Sequence, residues 1–239
     1  MKKGRKKFIV IIIGPPGAGK GTQAELLAEK LNLYYFETAR ILEESWAKAK
    51  KDDFVEVDGG EKFLLLDEKK LFDKGILCSP PFVSFVVKRK IMALAKQNKS
   101  LVLAGSPRTL YEGKEVMPLM MDLYGAENIL VLELKISDQE SIWRNTRRRI
   151  CSKCRYPVPF TKETQNLKKC PKCGGELVTR TLDSEDVIKV RLNQYKERTY
   201  PLFEYFKEIN IRIKEINGEQ SIENVFKDIL RAISLRNYK

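Results

Sequence analysis

The chain contains no histidine. This removes the most common general base and the most common nitrogen ligand for a metal. Any proton transfer or metal site must draw on other groups. No apolar run approaches the roughly 18–20 residues of a membrane span, so no membrane partner is expected. No internal repeat and no low-complexity stretch interrupts the 239 residues. That length suits one α/β domain with small insertions. No secretory leader is expected either. The basic start Met1-Lys2-Lys3-Gly4-Arg5-Lys6-Lys7 precedes an apolar run, but that run enters a glycine-rich turn and no cleavage site. A cytoplasmic location is expected.

What is present is positive charge. Lys and Arg number 45 against 32 Asp and Glu, a formal net charge of +13. Such a surplus suits anionic partners, either nucleotides or nucleic acid. With 43% hydrophobic residues, a full core is available beneath that surface.

The most informative stretch is Gly14-Pro15-Pro16-Gly17-Ala18-Gly19-Lys20-Gly21-Thr22. Phe8 to Ile13 before it is apolar and β-branched. Gln23 to Leu31 after it has helical spacing. Strand, glycine-rich turn and helix form the context of a phosphate-binding loop. Glycines let the backbone curl so that several N–H groups point at one spot, and the helix start adds its positive dipole end. Lys20 can reach the outer phosphates, and Thr22 can offer a hydroxyl to Mg²⁺.

Four of the five cysteines form Cys151-x₂-Cys154 and Cys170-x₂-Cys173, with fifteen residues between the pairs. That is zinc-ribbon spacing. Two disulfides are the alternative, although a cytosolic chain keeps thiols reduced. A four-thiolate site also accepts iron, with zinc the usual structural ion. Cys78 reads as a small buried side chain, since no histidine can activate it.

Apolar runs alternate with helical patterns along the chain. Strands are expected at 34–36, 101–104, 129–134 and 211–216, after the first at 8–13. Helices are expected at 38–51, 61–74, 80–97, 112–124 (interrupted near Pro118), 138–149 and 184–208, with Ser221 capping the last. Residues 52–60 read as a loop. The alternation predicts a P-loop NTPase fold, a parallel five-stranded sheet with helices on both faces. Two insertions are expected in this one core. Residues 1–37, 81–147 and 184–239 form the core, 38–80 an inserted lobe, and 148–183 a metal-binding lid.

These motifs, in this order, resemble the adenylate kinase family over nearly the whole length. The loop form Gly-x-Pro-Gly-x-Gly-Lys-Gly-Thr is matched from Gly14 to Thr22. The second signature appears as Gly105-Ser106-Pro107-Arg108-Thr109, and the lid signature as Arg180, Asp183 and Arg191-Leu192. Paired arginines before the lid match Arg144 and Arg148. Long forms of the family carry a zinc ribbon in the lid. The resemblance implies reversible phosphoryl transfer from Mg·ATP to a nucleoside monophosphate, with ATP, Mg²⁺ and structural zinc as cofactors. It implies that Gly14, Gly17, Ala18, Gly19, Lys20, Gly21, Thr22, Arg144 and Arg148 hold ATP. It places Thr38, Arg40, Gly105, Arg108, Glu112, Arg180 and Arg191 at the acceptor. Lys20, Arg108, Arg148, Arg180 and Arg191 carry the catalysis. A monomer is expected.

The acceptor half departs from the family pattern. An arginine that binds the acceptor phosphate is replaced by Glu43, so either Glu43 points away and Arg40 takes the role, or the acceptor differs. The aspartate that ends the strand before Gly105 and orders water around Mg²⁺ is Ala104 here. The glutamine that reads adenine is Glu112. An ionised carboxylate only accepts hydrogen bonds and suits the adjacent N1–H and N2–H₂ of guanine, so GMP is an alternative acceptor. A non-catalytic descendant that binds ATP, or RNA through Lys153, Arg155, Lys168, Lys169 and Lys172, is the other alternative. The family context favours the lid over a nucleic-acid contact.

Overall fold

A computed structural model of the chain describes residues 7–179 and 183–234. In chain order the first half holds β1 (Ile9–Ile13), α1 (Lys20–Leu31), β2 (Tyr34–Glu37), α2 (Thr38–Trp46), β3 (Phe54–Glu56), β4 (Lys62–Leu64), α3 (Leu65–Asp73), α4 (Pro80–Lys96) and β5 (Leu101–Ala104). The second half holds α5 (Leu110–Tyr124), β6 (Ile129–Lys135), α6 (Asp138–Arg147), β7 (Arg149–Cys151), β8 (Pro157–Val158), β9 (Leu177–Val178), α7 (Glu185–Gln194), α8 (Leu202–Glu208), β10 (Arg212–Asn217) and α9 (Ile222–Ser234).

Five strands pair in the order β10-β6-β1-β5-β2, and all four pairings are parallel. This is the expected sheet. Every residue of β1 is buried, which is why its sequence is a continuous apolar run and does not alternate. Successive residues face opposite sides. Val10 and Ile12 pack with Ala24 and Leu27 of α1 and with Val225 and Ile229 of α9. Ile9 and Ile11 pack with Phe82 and Val87 of α4, Met117 of α5 and Phe206 of α8. Each such side chain contributes about 1.5–3 kcal/mol of burial.

Several element boundaries differ from the sequence reading. The stretch read as a loop at 52–60 and the start of the helix read from 61 form an antiparallel hairpin instead, with Phe54 opposite Leu64. Asp58-Gly59-Gly60 is its turn, with Gly59 and Gly60 at φ +102° and +84°, values that glycine reaches without steric cost. Helix α5 runs through Pro118 without interruption. Pro118 and Lys114 are both exposed, so the carbonyl that loses its N–H partner lies on the solvent side. The helix read as 184–208 is divided. A π-helical turn covers Tyr195–Thr199, and Pro201 then starts α8. Helix α6 ends at Arg147, and Arg149 begins a strand.

The cysteine segment carries its own sheet of three short strands in the order β8-β7-β9. No helix among the described residues is long and apolar enough to cross a membrane.

Candidate active site

A cleft of about 1140 Å³ opens at the carboxyl ends of β1, β2 and β5. Ligands bind at this edge in open α/β sheets. The phosphate loop forms its floor. Gly17 and Gly19 hold φ +78° and +86°, so the loop reverses direction without Cβ strain. A Cβ at Gly17 would stand 2.6 Å from Asn145 Nδ2, and one at Gly14 would stand 2.5 Å from the Leu134 carbonyl oxygen. Gly19 is the N-cap of α1, and Lys20 is its first residue. Lys20 Nζ donates to the carbonyl oxygens of Gly14 and Pro15, both at 2.7 Å. Thr22 lines the cleft beside it.

Cations converge on this floor. Lys20, Arg108, Arg144, Arg148 and Arg191 all line the cleft. Burial, followed by the charges of Arg108, Arg191 and Arg148, pushes the Lys20 ammonium well below its usual range. Burial likewise lowers the Arg108 guanidinium, against the opposing pull of Glu112. A site that disfavours its own charges this way is complementary to a polyanion.

The arginines are held by specific partners. Asp183 is buried and receives Arg148 Nε at 3.0 Å and Nη2 at 2.6 Å, while Arg191 Nη1 stands 3.5 Å from the same carboxylate. The sequence reading had placed Asp183 only within a signature, yet it joins α7 to the end of α6 through two cleft arginines. Arg144 donates to Glu140 Oε1 at 2.6 Å, one helical turn away. Arg108 folds over Gly105, where a Cβ would meet its Nη2 at 2.9 Å. The π-helical turn presents Thr199, whose hydroxyl donates to the Arg108 carbonyl at 2.6 Å. Arg180 lies outside the described residues.

A smaller recess beside Arg108 is lined by Thr38, Leu42, Leu77, Gly105 and Glu112. The Thr38 hydroxyl is buried there without a protein partner. Glu112 is buried. It accepts from the Arg108 N–H at 3.0 Å, from Ser106 Oγ at 3.1 Å and from Thr109 Oγ1 at 3.3 Å. Burial pushes its carboxyl up, and the Arg108 N–H and charge oppose that rise. Glu43 does not stand open to the cleft. It forms a two-point ion pair with Arg155 of the cysteine segment, at 2.5 and 2.8 Å. Arg40 lines the cleft and pairs with Glu44 at 3.1 Å. Cys78 is buried and donates to the Glu68 carbonyl at 3.5 Å; burial pushes its thiol up to about 12.

The sulfurs of Cys151, Cys154, Cys170 and Cys173 lie within 4.8 Å of one another. The Cys151–Cys173 and Cys154–Cys170 separations are 3.5 and 3.6 Å. A tetrahedral ion with metal–sulfur bonds of about 2.3 Å needs edges of about 3.8 Å, so the donor set fits one. Each pair closes a tight turn in which the residue after the second cysteine is left-handed, Arg155 at φ +61° and Gly174 at φ +72°. The Cys154 N–H, bonded to the Cys151 sulfur at 3.4 Å, holds that thiol down at about 6. For Mg²⁺, which takes oxygen ligands in an octahedron, the cleft offers the Thr22 hydroxyl and the Glu37 carboxylate, while Ala104 brings no oxygen.

A phosphate loop under converging arginines defines a P-loop phosphotransferase. The family model for adenylate kinase matches residues 12–211. The adenylate kinase of Desulforamulus reducens is 34% identical over 226 residues, which cover 94% of this chain and 99% of that protein. The adenylate kinase of Archaeoglobus fulgidus is 32% identical over 222 residues, covering 92% of this chain and 95% of that protein. The adenylate kinase of Bacillus cytotoxicus is 34% identical over 222 residues, with the same coverage. The chain belongs to the adenylate kinase family.

Proposed function

We propose that the protein transfers the γ-phosphoryl group of Mg·ATP reversibly to a nucleoside monophosphate, with AMP as the first acceptor to test. The observation that carries this reading is the convergence of Lys20, Arg108, Arg148 and Arg191 on one cleft, where burial and then the arginine charges depress the Lys20 ammonium. Phosphoryl transfer needs alignment, exclusion of water and positive charge around the moving group. The loop glycines and Lys20 cradle the donor phosphates, with Arg144 and Arg148 on the same side. Arg108 takes the acceptor phosphate, with Arg191 across the path. Thr38, buried with its hydroxyl unpartnered, supplies a donor on the acceptor side. Thr22 and Glu37 line the cleft and would hold Mg²⁺, which would supply positive charge to offset that of the transferring phosphates.

Residues 38–80 serve as the acceptor lobe and 148–183 as a lid stiffened by zinc. Four thiolates leave no open position for water, so the ion is structural. The ion pairs Arg155–Glu43 and Lys172–Glu25 support the lid reading. They turn two cations of the basic cluster back onto the protein and away from nucleic acid. Reduced thiols suit a cytoplasmic setting.

The test is an acceptor panel of AMP, GMP, CMP and UMP with Mg·ATP, followed by ADP and diphosphate product, with Lys20→Ala as the blank. Turnover of one monophosphate that vanishes in Lys20→Ala is the expected result. ATP binding without turnover of any acceptor would overturn the catalytic reading.

A further inference from the structure

A P-loop enzyme commonly holds Mg²⁺ with the loop hydroxyl and with a carboxylate at the end of a neighbouring strand. The strand next to β1 on the α2 side is β5, and it ends in Ala104. The next strand out is β2, and it ends in Glu37. Glu37 is the register partner of Ala104 in the parallel β2–β5 pair. Register partners on parallel strands point to the same face of the sheet. Ala104 belongs to the core on the α1 side. Tyr35, two residues before Glu37 and therefore on its face, packs on that same side. The Tyr35 hydroxyl is 3.2 Å from where a Gly21 Cβ would lie, in the first turn of α1. Glu37 lies one pleat further towards the carboxyl edge and lines the cleft with Lys20 and Thr22. Its charge acts on Arg108 and, after burial, is the largest influence on the Tyr35 phenol.

Three neighbouring carboxylates lie on another face or are held away from the loop hydroxyl. Glu133 at the end of β6 neighbours Ile13, but it lies on the opposite face and meets Lys135, Glu215 and Lys207. Glu25 pairs with Lys172, and Glu140 with Arg144.

We propose that Glu37 is the residue that positions the Mg²⁺ ion of bound Mg·ATP, directly or through its waters, from β2 instead of β5. Glutamate is one methylene longer than aspartate, which offsets part of the roughly 4.8 Å between neighbouring strands. The carboxylate has moved by one strand while its face and its level along the sheet stay the same. The inference rests on the ATP-binding reading above and adds to it a residue for the metal.

The test measures metal binding apart from turnover. Mn²⁺ affinity is read by electron paramagnetic resonance in the full-length protein saturated with ATP. Metal-free ATP affinity is measured in parallel by calorimetry. Glu37→Gln is expected to bind metal-free ATP at least as tightly as the parent, since a negative charge has left the cleft. It is expected to hold Mn²⁺ about 10–100-fold more weakly. Adding Ala104→Asp to that variant is expected to restore most of the loss, which a merely structural role for Glu37 would not predict. Parent-like Mn²⁺ affinity in Glu37→Gln would overturn the proposal. Loss of metal-free ATP binding in that variant would also overturn it, because Glu37 would then be supporting Arg108 or the strand end. A double variant as weak as Glu37→Gln would overturn the equivalence of the two strand ends. Failure of the parent to bind ATP at all would count against the proposed function instead.

Discussion

The phosphate loop and the proposed acceptor lobe face the same cleft but are built on different terms. The loop is fixed by backbone. Gly14, Gly17 and Gly19 occupy positions where a Cβ would clash or strain, and Lys20 is tied to two loop carbonyls. A site made this way tolerates few residue types, so its sequence reports its geometry directly. The acceptor side is fixed by side chains that have found one another. Glu112 is tied to Ser106, Arg108 and Thr109, and Glu43 to Arg155. Side-chain partners can be exchanged without moving the backbone, so this region can change its ligand chemistry while keeping its fold.

The largest effects test the donor side. Arg148→Ala removes a cation from the proposed transfer path, and turnover is expected to fall about 10³–10⁵-fold. Asp183→Asn keeps the size of the side chain but releases the charge that holds Arg148 and Arg191. A misplacement of about 1 Å can cost about 10²-fold, so a loss near that size is expected, mostly in kcat. Steady-state kinetics of both variants check this. If Asp183→Asn matched the parent, the arginines would be placed by something other than their shared carboxylate.

How much of this was legible follows from the same contrast. The five-stranded sheet and the loop could be read because burial on both faces and a phosphate-shaped turn each impose a pattern on neighbouring residues. The β3–β4 hairpin could not, because its strands are three residues long and Phe54 and Leu64 remain exposed. Asp58-Gly59-Gly60 was the available signal, and it was read as a loop instead of a hairpin turn. The pairing of Glu43 with Arg155 joins residues 112 positions apart and leaves no local trace. The same holds for Glu37 and Ala104, which meet only through sheet register. The division of the long helix had a local cue in Pro201, but the π-helical turn before it accompanies a bond from Thr199 to the Arg108 carbonyl, 91 positions away.

The acceptor side is tested next, through pH. Burial raises the Glu112 carboxyl above its ordinary range. Ionised, it only accepts and suits guanine; protonated, it offers one O–H to adenine N1. Relative use of AMP over GMP is therefore expected to rise as pH falls through the raised value. In Glu112→Gln the preference should favour AMP and stay flat with pH. The effect of one such hydrogen bond is about 1.5–3 kcal/mol when a charged group is involved, roughly 10–100-fold in the ratio. A parent profile as flat as that of Glu112→Gln, measured as the ratio of kcat/KM values, would mean that Glu112 only caps α5.

The smallest effect concerns the contact that joins the acceptor lobe to the cysteine segment. Glu43 and Arg155 are partly exposed, so their coupling is expected to be about 0.2–1 kcal/mol. The choice of substitution matters. Arg155 holds a left-handed backbone conformation that glycine prefers, so Arg155→Gly would relieve strain while it removed the pair, and the two effects would offset. Arg155→Gln and Glu43→Gln keep the backbone terms constant. A double-mutant cycle on these two isolates the ion pair. If the pair holds the proposed lid against the acceptor lobe, each single variant should raise the KM for both nucleotides slightly, and the double variant should go no further. Raised salt should weaken the parent towards the variants, because an exposed pair is screened. Additive single effects, insensitive to salt, would show that this ion pair does not couple the acceptor lobe to the cysteine segment.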